Sequence, residues 1–116
     1  MIRAEPIQLN FGKLNGLIPA VVQHHQTNEV LMVGFMNEDA WARTGQSGYV
    51  TFFSRTRNTL WTKGETSGNF LRVIRIQADC DRDTLLIAVD PVGPVCHTGN
   101  PTCFFEDVDL SPEAAR

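Results

Sequence analysis

The sequence predicts an α+β fold, mostly antiparallel sheet with one or two short helices, in a single small domain. Three observations carry that prediction. Strand-like apolar runs come in pairs joined by short polar turns, only one stretch carries strong helix-start chemistry, and 116 residues leave room for one core. Residues 18–23 and 29–36 are the first pair of strands, joined by the polar turn 24–28, where His24 and His25 are expected in solvent. Asn37 is a helix cap, because Glu38 and Asp39 place negative charge in the turn that follows it. The helix, over about residues 38–44, presents Ala40, Trp41 and Thr44 inward and ends near Gly45 or Gly48.

Residues 49–54 form a third strand. Residues 70–78 set Leu71, Val73, Ile74 and Ile76 against Arg72, Arg75 and Gln77, with a slip at 73–74 that marks a bulge. Residues 84–89 are a nearly continuous apolar run, as in a strand buried on both faces. Beyond Pro91 the chain is loop until a short strand at 103–105. The segments 1–14 and 107–116 are peripheral to the domain.

A hydrophobic content of 42% with 20% charged residues fits a water-soluble domain, and no apolar run approaches the ~18 residues of a membrane span. Met1 to Pro6 lack the apolar stretch of a signal peptide, so a cytoplasmic location is expected. Three cysteines in that compartment argue for thiols or thiolate ligands over disulfides. A net charge of −3 argues against nucleic acid as the partner. Seven of the ten basic residues nevertheless crowd between Arg43 and Arg82, a local patch suited to a small anion or simply to a solvated sheet face.

The chemistry-bearing residues concentrate between 54 and 103. Asp79, Asp81 and Asp83 alternate with Cys80 and Arg82, and on an extended strand that spacing puts the three carboxylates on one face. Close carboxylates make sense beside a hard cation such as Mg²⁺, although an exposed acidic turn has the same spacing. A calcium loop is excluded, since Thr84 stands where glycine is needed and apolar residues follow. Cys80, Cys96 and Cys103 match no zinc-finger spacing; they are either small buried hydrophobes or three ligands that leave a metal one open position. Residues 54–69 combine guanidinium groups, hydroxyls, an ammonium and glycines, a composition suited to a phosphate without being a P-loop. Trp61 is either a stacking surface for a base or a core residue.

Taken together these segments resemble the phosphoribosyl-AMP cyclohydrolases of histidine biosynthesis. The resemblance covers about residues 15–105. It rests on Val30-Leu31-Met32 with Met36-Asn37-Glu38, on Ser54-Arg55-Thr56-Arg57, and on the run from Leu60 through Trp61, Lys63, Glu65 and Ser67 to Asn69. It rests further on Asp79-Cys80-Asp81-Arg82-Asp83, on Gly93-Pro94-Val95-Cys96-His97-Thr98-Gly99, and on Thr102-Cys103-Phe104. Thr56 and Thr102 stand where the family commonly has serine, and Asn100-Pro101 where it often has basic residues.

The resemblance implies a homodimer with shared metal sites, in which Zn²⁺ is held by Cys80 of one chain and Cys96 and Cys103 of the other. It also implies Mg²⁺ at Asp79, Asp81 and Asp83. The implied reaction is hydrolytic opening of the N1–C6 bond of the adenine ring of phosphoribosyl-AMP by metal-activated water. The resemblance implies a small nucleotide substrate, bound by Ser54, Arg55, Arg57, Trp61, Lys63, Glu65 and Ser67. His97 is the candidate proton shuttle, since histidine ordinarily titrates near neutrality. Some relatives carry a pyrophosphohydrolase domain behind this one; this sequence runs only to Arg116, so that step is expected on another protein. A zinc nucleobase deaminase is the first rival, disfavoured by the missing His-x-Glu and Pro-Cys-x-x-Cys signature. A non-catalytic, zinc-stabilised nucleotide-binding dimer is the second.

Overall fold

The computed structural model describes residues 7–110; the two ends of the peripheral segments, and with them the Met1 to Pro6 stretch, lie outside the described residues. Among the described residues, six strands and one helix follow in the order β1 (Ile18–His24), β2 (Val30–Met36), α1 (Glu38–Ser47), β3 (Thr51–Ser54), β4 (Thr59–Thr62), β5 (Leu71–Ala78) and β6 (Leu85–Pro91). Strands β1 and β2 pair antiparallel, as do β5 and β6, and the two hairpins join through a parallel β1–β6 pairing. The resulting sheet has the order β2-β1-β6-β5, while β3 and β4 form a separate hairpin.

One face of the sheet carries the core. Ile18, Ala20 and Val22 of β1 and Leu85, Ile87 and Val89 of β6 are buried on it. Helix α1 and the β3–β4 hairpin cover this face through Ala40, Thr44, Val50 and Phe52, all buried. Gly34 in β2 makes the close approach possible, because a Cβ there would stand 2.5 Å from the Phe52 ring. The helix begins as the sequence predicts, with the Asn37 side chain accepting from Ala40 N–H, and ends at Gly48 in the left-handed conformation. Thr44 ties it to β3: its hydroxyl donates to the Ala40 carbonyl at 2.8 Å and accepts from Thr51 N–H at 3.0 Å.

Several expectations need correction. Residues 84–89 are not buried on both faces: Leu86 is 36% exposed, because only one face of the sheet is covered. Val33, at 47%, is exposed on the same outer face. Residues 103–105 form no strand; Cys103 N–H makes one bond to the Leu31 carbonyl, and Phe104 and Phe105 are exposed. Residues 59–62, where the sequence predicts no strand, form strand β4. His24 and His25 are half-buried with stacked rings, not solvent-exposed. The slip at 73–74 is present as a register shift between Val73 and Arg75.

Candidate functional site

The tight turn between β5 and β6 gathers the three carboxylates. Asp79 N–H donates to the Thr84 carbonyl at 3.0 Å, and Arg82 sits at φ 61°. Asp79 Oδ1 accepts from the backbone N–H groups of Asp83 (3.0 Å) and Thr84 (3.2 Å). The chain is therefore a turn here and not the extended strand on which the alternation argument rested. The carboxylates still converge, with one oxygen from each of Asp79, Asp81 and Asp83 lying within 4.8 Å of the others. An octahedral Mg²⁺ with ligands at about 2.1 Å needs oxygens about 3–4 Å apart, so side-chain rotations of about an ångström suffice. The donor set thus fits that cation. Lys13 occupies the cluster's rim, bonded to Asp81 Oδ2 and 3.1 Å from Asp83 Oδ2, and it holds the Asp81 carboxyl down to about 2.

The second locus is a cleft of about 290 Å³ between the loop after β4 and the loop after β6. Trp61, Lys63, Ser67 and Asn69 line one side, and Cys96 and His97 line the other. Gly64, buried at φ 95°, makes the turn that shapes the first wall; a Cβ there would stand 2.5 Å from the Asn69 carbonyl carbon. Phe52 backs the Trp61 indole at 5.5 Å between ring centroids, so this tryptophan is at once a core contact and a cleft wall. Lys63 Nζ stands 5.7 Å from the Trp61 ring centre.

Cys96 and Cys103 meet beside this cleft, close enough for each sulfur to act on the other's ionisation. The Thr98 hydroxyl donates to Cys96 Sγ at 3.1 Å and lowers that thiol's pKa. Cys103 is raised, first by loss of solvent around its sulfur and then by Cys96. The Lys63 ammonium draws both downward. A buried thiol assisted by a hydroxyl and a nearby cation is disposed toward thiolate, the form that binds soft metals.

Cys80 is elsewhere. It lies on the exposed acidic turn, before Leu85, which pairs with Ala20 at the start of β1. Cys103 bonds to Leu31, beside the other end of β1 and on the opposite edge of the sheet. Roughly four residues of strand length and three inter-strand spacings separate the two, about 20 Å in all. Tetrahedral zinc needs its sulfurs about 3.8 Å apart. A single chain therefore brings together two of the three thiols.

The predicted substrate residues also divide. Trp61, Lys63 and Ser67 line the cleft, whereas Ser54, Arg55 and Arg57 lie at the tip of the β3–β4 hairpin. There the Ser54 hydroxyl accepts from Arg57 N–H at 3.3 Å, and the Arg55 guanidinium lies 4.1 Å from the centre of the Phe35 ring. Glu65 is exposed on the loop beside the cleft without lining it. Thr98 and Lys13 were missed as site residues. The first could have been suspected from a hydroxyl two places after a cysteine, but nothing in the sequence joins the second to a turn 68 residues away.

The profile of the phosphoribosyl-AMP cyclohydrolase family matches residues 32–105, which contain both loci. The chain belongs to this family. It is 62% identical over 100 residues to the histidine biosynthesis bifunctional protein HisIE of Bacteroides thetaiotaomicron, covering 86% of this chain and 49% of that protein. The protein of the same name from Vibrio parahaemolyticus is 58% identical over 100 residues, covering 86% and 47%. That from Escherichia coli O6:H1 is 58% identical over 97 residues, covering 84% and 48%. The chain thus spans about half the length of the curated relatives it matches. Among the described residues, no helix is long and apolar enough to cross a membrane.

Proposed function

We propose that the protein is a metal-dependent hydrolase that opens the N1–C6 bond of the adenine ring of phosphoribosyl-AMP, acting in histidine biosynthesis as a cytoplasmic homodimer. The observation that carries this reading is one cleft that sets an aromatic wall, a lysine and a histidine beside two adjacent thiols. Trp61 offers its indole to the purine, held by Phe52 behind it. Lys63 and the hydroxyl of Ser67 face the substrate's polar end, and Lys63 also stabilises the thiolates. His97, exposed at the cleft's edge, holds and delivers the proton that N1 takes as it leaves C6.

Cys96 and Cys103 would hold Zn²⁺ together with Cys80 of a second copy, and Asp79, Asp81 and Asp83 would hold Mg²⁺. When bound, these cations supply an activated water and charge compensation for phosphate. The span of about 20 Å between Cys80 and Cys103 is the reason for a second chain, and the apolar outer face of the sheet, with Val21, Val33 and Leu86, is a surface for it to cover. Ser54, Arg55 and Arg57 stand apart from the cleft within one chain, at a hairpin tip free to serve the phosphate of either copy's substrate.

The test is turnover of phosphoribosyl-AMP by purified protein, followed by absorbance with Mg²⁺ present and with or without a zinc chelator. Chelator-sensitive ring opening is expected. Absence of turnover by zinc-loaded dimeric protein would refute the proposal and favour a nucleotide-binding role.

A further inference from the structure

The lysine that reaches the acidic turn comes from a segment held down by other means. Leu9 is buried in the core, Ile7 and Phe11 pack against it, and Asn10 N–H donates to the Arg82 carbonyl at 2.7 Å. The Lys13 side chain itself is half-exposed, at 49%. Its backbone is thus anchored against the turn while its flexible stem is free to swing. Lys13 also lies outside the residues matched by the family profile, 32–105.

We infer that Lys13 is a built-in competitor for the divalent-cation site: its ammonium pairs with Asp81 and Asp83, whose oxygens the cation would take, and must leave when the cation enters. The inference rests on the reading of Asp79, Asp81 and Asp83 as a Mg²⁺ site and deepens it. Mg²⁺ bound to these oxygens and an ammonium hydrogen-bonded to the same oxygens would stand about 4 Å apart, a direct repulsion. The weaker, tethered and solvated ion gives way. Lys13 has a second, opposite effect, since by neutralising two carboxylates it eases their mutual repulsion and holds the turn together. The turn does not depend on that help. Asp79 Oδ1 is already fixed by two backbone N–H groups, and Asn10 clamps the Arg82 carbonyl from outside. Competition therefore outweighs preorganisation, and the lysine lowers cation affinity.

Mn²⁺, followed by electron paramagnetic resonance, is the probe for the site. Lys13→Gln is expected to bind Mn²⁺ about three- to tenfold more tightly than the wild type at low ionic strength, with the gap narrowing as salt is added. Equal or weaker binding by Lys13→Gln would overturn the inference. Absence of Mn²⁺ binding by both proteins would overturn the cation-site reading beneath it. The unaltered protein provides an independent check through amine acetylation read by mass spectrometry, with Lys63, the other lysine of the sequence, as reference. Mn²⁺ is expected to speed acetylation of Lys13 relative to Lys63; an unchanged ratio counts against the competition.

Discussion

Mixing two cysteine variants, each expected to be inactive alone, discriminates a zinc site shared between chains from one built within a chain. Cys80→Ala removes a thiol from the acidic turn, and Cys103→Ala removes one from the cleft, about 20 Å away on the same chain. If each site takes Cys80 from one copy and Cys96 with Cys103 from the other, either homodimer has no complete site. After subunit exchange at equal concentrations, about half the dimers contain one of each variant. In such a dimer the Cys80→Ala chain contributes intact Cys96 and Cys103, and the Cys103→Ala chain contributes intact Cys80. One site is whole and the other lacks two thiols. The mixture is therefore expected to recover about one quarter of the wild-type sites, measured both as tightly held zinc per chain and as phosphoribosyl-AMP turnover. Cys96→Ala mixed with Cys103→Ala is the internal control. Both lesions fall in the half contributed by one chain, so no combination restores a site. Recovery in neither mixture would refute sharing, and recovery in both would mean that the cysteines are not grouped as the structure groups them.

Other consequences concern single positions. His97→Ala is expected to retain zinc and the dimer while losing about 10²–10⁴-fold in turnover, whereas Cys96→Ala loses the zinc itself; normal turnover by His97→Ala would remove its role as proton shuttle. Thr44→Val keeps the volume of a fully buried side chain but orphans Thr51 N–H, at a cost of about 1–3 kcal/mol. The thermal midpoint should fall by about 4–10 °C in a calorimetric scan, and a change under about 1 °C would show that this hydroxyl does not hold α1 to β3.

Much of the fold was legible because local chemistry and tertiary structure agree. Asn37 caps α1 with its own side chain, and Gly48 ends the helix in the left-handed region, both local events that a short window encodes. The apolar runs of β1 and β6 are legible as strands, but the nearly continuous apolar character of 84–89 pointed to burial on both faces, and only the packing leaves Leu86 exposed. The misreadings have a common cause. Strand β4 at Thr59 to Thr62 is not evident from the sequence, although threonine and tryptophan favour strands, because its pairing with β3 decides it. Alternation alone would place the acidic run on an extended strand, whereas the left-handed Arg82 makes it the exposed turn that the same spacing also allows.

By itself, the sequence determined the class of the fold, the start of its helix and the presence of most of its strands, and the residue types able to bind metal or anion. Those properties follow from side-chain chemistry and short-range periodicity. Tertiary structure alone decided which of these residues meet. Cys96 and Cys103 come together while Cys80 lies at the opposite corner of the sheet, because the parallel β1–β6 pairing fixes the ends of both hairpins. Trp61 and Lys63 face His97 while Arg55 and Arg57 do not, because the β3–β4 register carries them to opposite ends of one hairpin. Lys13 reaches Asp81 across 68 positions because a buried Leu9 holds its segment there. Such long-range juxtapositions arise from strand order and packing, which no local pattern encodes.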